Sequence, residues 1–384
     1  VTPVGTTRSN FPEARLSRAI SIARILCLLG IVYVHAWTGL TGEQLGALSN
    51  SGQGMLRWTL MELLGRSAVP LLGIVSGWLL AAGTRRRAYR PFLARKARAI
   101  LTPMILWNAL SILIVSGAGY AGIIQAPGVR SLWWLLDELF CLATPNDINV
   151  QTAFLRDLFL CLAAAPLLLR APTPLLLVIV ALTVVWSVSG WTFPLLLRPA
   201  IASFFVLGIL IRRGDLALRL ATVAPLLAVA PVLLLAALKI ALETQVWGVA
   251  RELPAAVPIV DLLLRPAVAL LFWRVAWALA GGASASRWVV LDRYVFFVFC
   301  AHLILIWLGG PLIGRVTGPL GSPAYPLYLV LQPVLVAGAG IALARMLEAA
   351  APDAAHLLSG GRLGRPAASG AGRRTALSEN CRTA

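Results

Sequence analysis

Three side chains sit in apolar runs where an ionisable group is costly and calls for a reason. Arg24 and His35 share the run from Ala19 to Trp37, and His302 lies within Phe296-Phe297-Val298-Phe299-Cys300-Ala301-His302-Leu303. A free imidazole titrates near ~6.5, so it can take a proton from a hydroxyl close to neutral pH. A guanidinium keeps its charge and can meet an oxyanion or a phosphate. Eleven steps separate Arg24 from His35. On an α-helix that is about three turns plus 20°, which puts both side chains on one face, about 16 Å apart along the axis. A blander reading stands beside this one. Arg24 could snorkel and His35 could rest at headgroup depth beside Trp37. His302 is nine residues past Arg293, near mid-bilayer; there the alternative is a neutral imidazole hydrogen-bonded to a neighbouring helix.

Other polar groups offer weaker chemistry. Arg85, Arg86, Arg87, Arg90, Arg95, Lys96 and Arg98 form a block without an acid, ahead of the apolar run that begins at Ala99. Such a block orients a membrane protein, and Arg95, Lys96 and Arg98, flush with a helix start, also suit an anionic cosubstrate. Arg156-Asp157 opens another apolar run and is a candidate for lining an external cleft. Glu62 and Arg66 are i,i+4 neighbours that should pair, while Lys239 and Arg274 either snorkel or pair. Asp137, Glu138 and Asp147 have no metal-ligand spacing, and no cysteine pair has it either; no metal site is expected. A phosphate-binding P-loop, a dinucleotide glycine pattern and a Gly-x-Ser-x-Gly elbow are all missing.

The elements that must carry these groups follow from composition. The chain has 384 residues, of which 59% are hydrophobic and only 12% charged, with mean hydropathy +0.84. Soluble proteins carry roughly 25% charged residues. Too little polar surface remains for a water-facing fold, so the expected class is all-α, a polytopic integral membrane protein. The net charge of +18 sits mostly between apolar runs and points to lipid headgroups rather than nucleic acid. Ten spans are expected, at roughly 19–37, 56–80, 99–116, 152–169, 172–190, 194–211, 220–241, 257–280, 293–313 and 324–347. A short interfacial helix is expected around Trp133-Trp134. The arginine asymmetry places both termini in the cytoplasm, Arg24 toward the cytoplasmic end and His35 toward the outer end. Residues 1–18 read as a cytoplasmic N-terminal segment without a cleavable signal, 19–347 as the transmembrane domain and 348–384 as a disordered cytoplasmic tail.

Four stretches resemble the acyltransferase-3 family of integral membrane acyltransferases. Arg24 and His35 fit its Arg/Lys-x10-His signature. Val69-Pro70-Leu71-Leu72-Gly73-Ile74-Val75-Ser76-Gly77-Trp78-Leu79-Leu80 resembles the end of its second helix. Phe92-Leu93-Ala94-Arg95-Lys96-Ala97-Arg98-Ala99-Ile100-Leu101-Thr102-Pro103 resembles the start of its third. Phe154-Leu155-Arg156-Asp157-Leu158 pairs with the late Phe-rich element ending in His302. Gly73, Ile74 and Ala153 depart from aromatic positions of the family pattern. The extracytoplasmic SGNH-type domain fused to some members is not expected here.

The resemblance implies transfer of an acyl group, acetyl or succinyl, from acyl-CoA to a hydroxyl of a cell-surface or exported polysaccharide or its lipid-linked precursor. It implies His35 as general base and Arg24 as its charged companion. Arg95, Lys96, Arg98, Arg156, Asp157 and His302 are the candidate substrate-binding residues. No bound cofactor is expected; acyl-CoA is a cosubstrate. The expected partners are the glycan acceptor and membrane lipids, in the bacterial inner membrane. A transporter or flippase for a lipid-linked glycan is the competing class, since it too needs polar groups facing a cavity. A polyprenyl-phosphate glycosyltransferase is a third reading, and it lacks a clear acidic metal motif here.

Overall fold

The computed structural model describes residues 11–83, 88–243 and 256–364. Among them the regular structure is helical, with no strand. Arg85, Arg86 and Arg87, and the part of the tail beyond Gly364, lie outside the described residues.

The main helices are α1 (Phe11–Val34), α2 (Gly52–Ala82), α3 (Tyr89–Tyr120), α4 (Leu132–Phe140), α5 (Ala153–Ala163), α6 (Thr173–Ser189), α7 (Ala200–Arg213), α8 (Pro225–Glu243), α9 (Ala256–Ala280), α10 (Ala285–Thr317), α11 (Tyr325–Ala350) and α12 (Pro352–Leu358). Seven of them are long and apolar enough to cross a membrane by length and composition: α1, α2, α3, α8, α9, α10 and α11. The expected spans at 152–169, 172–190 and 194–211 are shorter as helices. The first is split between α5 and a six-residue helix, Ala165–Arg170, at Pro166. Proline at the start of a helix is favoured because its missing N–H has no partner there anyway. α4 matches the short helix expected around Trp133-Trp134.

Small residues set the closest helix contacts, as they do where no water is available to drive association. Gly30 of α1 faces α2 so tightly that an added Cβ would lie 2.5 Å from Leu64 O. Gly77 of α2 and Gly208 of α7 are tighter still: a Cβ would come within 1.9 Å of Phe205 O and 2.0 Å of Ile74 O, respectively. α2 carries a π-type stretch, Leu60–Gly65, shortly before Pro70. Such widened turns appear where a side chain must be redirected. Here the stretch carries Glu62 into the interior and leaves Arg66 half-exposed.

The tail departs from expectation. α11 runs on to Ala350, α12 follows, and Leu363 is fully buried. Up to Gly364 the segment read as disordered is folded against the bundle. Its small, polar and basic composition hid this, because the contacts come from backbone groups and a few anchors rather than from an apolar stripe.

Candidate active site

α1 ends at Val34, and His35 follows in a tightened turn closed by its own N–H on Val32 O at 3.2 Å. The following residues hold that turn in place. Trp37 drops into a groove on α10 made by Gly310 and Gly314, where added Cβ atoms would lie 2.5 and 2.0 Å from the indole. Tyr325 Oη donates to Trp37 O at 2.8 Å, and Leu320 N–H donates to Thr38 O at 2.9 Å. This anchor sets His35 against the middle of α10.

The group it meets there is His302. The two imidazole rings lie 5.4 Å apart between centroids, tilted by 45°. His302 is fully buried. Its Nδ1 donates to Phe299 O at 2.7 Å, because a carbonyl can only accept. In that tautomer Nε2 is an acceptor, and this atom has no hydrogen-bond partner in the protein. As the acceptor nitrogen of a neutral imidazole, it has the lone pair to accept a proton or a hydrogen bond. Arg198 and Arg66 are near enough to act on His35 electrostatically.

A polar network backs this pair. Gln151 Nε2 donates to Asn149 Oδ1 at 2.5 Å and to Cys300 O at 3.3 Å. Asn149 and Thr152 both donate to Asn108 Oδ1, at 3.0 and 2.9 Å. Asp137 and Glu138 hold the loop that delivers these residues. Glu138 accepts from the N–H groups of Asp147 and Ile148, each at 2.8 Å. Burial pushes the Glu138 carboxyl above the usual carboxylate range, against the pull of those two N–H groups. Asp137 and Glu138 are thus engaged with backbone N–H groups, while the Asp147 carboxylate accepts from Trp134 Nε1 at 2.8 Å and pairs with Arg130 at 3.6 Å. Among the described residues no group of three or more His, Cys, Asp or Glu could hold a metal ion.

At the other end of α1, Arg24 Nη1 lies 3.4 Å from Asp292 Oδ2, which also accepts from Ser21 Oγ at 2.9 Å. Arg24 and Asp292 line a cavity of about 410 Å³. Its walls include Leu28, Ile100, Leu155 and Phe296, and it is also bounded by Phe154 and Phe299. The rings of Phe154 and Phe299 pack edge to face at 6.0 Å, and Phe299 is 6.0 Å from the His302 ring. A charged rim and an apolar wall therefore lead to a layer of aromatic rings beside the histidine pair.

The remaining sequence candidates are placed elsewhere. Arg95 and Arg98 are exposed on the first turns of α3, and Lys96 lies 5.8 Å over the Phe92 ring. Of that stretch, Ile100 lines the cavity. Arg156 and Asp157 hold the loop before α7. Arg156 Nη1 meets Asp157 Oδ1 at 2.7 Å and Leu195 O at 3.0 Å, while Asp157 Oδ2 accepts from Arg198 N–H at 2.8 Å. Arg198 in turn donates to Val150 O at 3.1 Å. Glu62 and Arg66 pair at 3.1 Å as expected, but the stronger partner of Glu62 is Lys239, at 2.5 Å. Lys239 also holds Asp261 at 2.9 Å. Arg274 Nε donates to Val223 O at 3.0 Å.

Sequence reasoning missed Asp292, Gln151, Arg198 and the Gly310–Gly314 groove. Asp292 had a signal, as an acid just ahead of the apolar run that carries His302. The groove had one too, a glycine pair at i,i+4.

A family model described as an acyltransferase domain matches residues 17–344, a stretch that contains Arg24, His35, Asp292 and His302. The chain belongs to this acyltransferase family. The resemblance read from Arg24, His35 and the three later stretches therefore holds across most of the chain. The acyltransferase is also similar to ExoH of Rhizobium meliloti (strain 1021), a succinoglycan biosynthesis protein. The two are 27% identical over 386 residues, spanning 92% of this chain and 94% of that one. No solved structure matches the acyltransferase.

Proposed function

We propose that the acyltransferase moves an acyl group, acetyl or succinyl, from acyl-CoA to a hydroxyl of an exported polysaccharide or its lipid-linked precursor. The acceptor class rests on the likeness to a succinoglycan biosynthesis protein. The observation that carries the mechanism is the His35–His302 pair beside the aromatic end of a cavity whose rim carries Arg24.

In this reading His35 is the general base. As the sugar hydroxyl attacks the thioester carbon, an imidazole nitrogen of His35 takes its proton. The new C–O bond forms, the C–S bond breaks, and the departing CoA thiolate takes from His35 the proton that the hydroxyl gave up, leaving as the thiol. His302, with Nδ1 tied to Phe299 O, is the second proton-accepting group of the pair. Positive charge from Arg198 and Arg66 favours the oxyanion of the tetrahedral intermediate. Arg24, oriented by Asp292, meets the donor at the other end, and the exposed Arg95 and Arg98, with the partly exposed Lys96 between them, draw an anionic donor toward the rim. Arg156 and Asp157 act as positioning residues through the backbone of Arg198. Placement in the bacterial inner membrane, with the Arg24 end in the cytoplasm where CoA is found, fits the arginine asymmetry.

The test is acyl transfer in membranes holding the full chain. Product should appear only with acyl-CoA present and should be lost in His35→Ala at normal protein level. Movement of a lipid-linked glycan without any acyl donor would favour the flippase reading instead.

A further inference from the structure

The chain after α12 turns through Ser359-Gly360-Gly361 and brings Arg362 back to the bundle. The turn is constructed for that return. Gly360 has φ +62°, and an added Cβ would lie 2.3 Å from Ala99 O, so only glycine fits there. The Ser359 hydroxyl accepts from the N–H groups of Arg362 and Leu363 at 3.1 and 2.8 Å. Trp107 Nε1 donates to Leu358 O at 2.9 Å, and Gly364 N–H donates to Glu348 Oε1 at 3.2 Å.

These anchors fix one charged side chain. Arg362 stacks over the Phe296 ring at 4.0 Å and donates to Ser359 O at 2.9 Å. It lines the same cavity as Arg24, Asp292 and Arg293. Arg293 is paired with Glu348. Arg24 and Arg362 repel one another and share the attraction of a single carboxylate, Asp292. The rim thus holds two guanidiniums against one acid, a local excess of positive charge above an apolar interior. A ligand matching that layout has anionic groups at one end and a slender, weakly polar arm at the other.

We propose that Arg362 is a donor-binding residue: with Arg24 it forms a phosphate cleft, and the segment 352–364 is a built-in wall of the acyl-CoA site. The proposal rests on the acyl-CoA reading given above. It extends the site beyond the last long helix, to a segment outside residues 17–344 of the family match.

The experiment measures binding of CoA, and of its phosphate-free arm pantetheine, to the detergent-solubilised full chain. Arg362→Gln should weaken CoA binding by roughly tenfold or more, leave pantetheine binding unchanged and unfold at the wild-type temperature. Arg362→Lys should restore part of the loss. If Arg362→Gln binds CoA like wild type, the proposal is overturned while the acyl-CoA reading stands. Equal weakening toward CoA and pantetheine means that Arg362 only supports the wall, which also overturns the phosphate contact. If wild type and His35→Ala both fail to bind CoA, the donor reading falls and takes this proposal with it. A parallel titration with phosphatidylglycerol separates the other source of phosphate: if Arg362→Gln weakens only lipid binding, the cleft is a headgroup site and the proposal is wrong.

Discussion

His35 and His302, two hundred and sixty-seven positions apart in the chain, are ring neighbours at 5.4 Å. The contact joins the end of α1 to the middle of α10, and one member keeps a buried nitrogen without a partner. Read from the sequence, the two histidines are rivals for one role. Their contact makes them parts of one site, so both substitutions should impair turnover. His35→Ala should lower acyl transfer by roughly 10²–10⁴-fold, the usual contribution of a positioned base. His302→Ala should also reduce kcat, with donor binding retained in each variant. Full activity of His302→Ala in a stable protein would reduce that residue to a structural role.

The seat of Trp37 gives a test of positioning. Gly314→Ala puts a methyl where the indole now lies, 2.0 Å from Cη2. The indole must move, and His35 two residues earlier moves with it. A fall in kcat with unchanged CoA affinity is expected, since a displacement of about 1 Å can cost on the order of 10²-fold. Steady-state kinetics beside a binding isotherm separates the two. A change in affinity alone would contradict this coupling.

Asp292 holds Arg24 and Ser21 at once. Asp292→Asn keeps the shape but removes the charge that orients the guanidinium. The apparent KM for acyl-CoA should change more than kcat. Arg24→Lys should retain partial activity because it keeps the charge without the planar fork, and Arg24→Ala should fail. Equal activity of all three variants would separate Arg24 from the reaction.

Lys239 is 2% exposed and stands between Glu62 and Asp261. Lys239→Met leaves both carboxylates without their shared cation. Breaking a buried pair in this way costs about 3–5 kcal/mol, so a large drop in the thermal unfolding temperature is expected. Glu62→Gln added to it should recover part of the loss. An unchanged unfolding temperature for Lys239→Met would mean that the cluster is hydrated.

Orientation can be read with reporter fusions. A fusion after Asn50 should report the periplasm, and fusions after Arg90 and Gly360 the cytoplasm. A periplasmic signal after Arg90 would invert the bundle and move the Arg24 cavity to the side without CoA.

Much of this protein was legible in its sequence because membrane physics is one-dimensional. A backbone in lipid must satisfy its own hydrogen bonds, so long apolar runs become helices. Seven of the ten expected runs meet the length and hydropathy of a span. A charged or imidazole group inside such a run is costly enough to mark itself, which singled out Arg24, His35 and His302. Packing between helices has no such linear trace. No spacing in the chain announces that His35 meets His302, that Asp292 orients Arg24, or that Lys239 bridges Glu62 and Asp261. Arg156 and Asp157 looked like cleft residues, yet their partners are backbone groups of the loop before α7. The tail shows the limit most sharply. Its composition reads as disorder, whereas contacts such as the fit of Gly360 against Ala99 O, the burial of Leu363 and the Trp107 bond to Leu358 O fold it onto the bundle. Those contacts depend on shape at a surface made by α3 and α10, and that surface exists only once the helices have assembled.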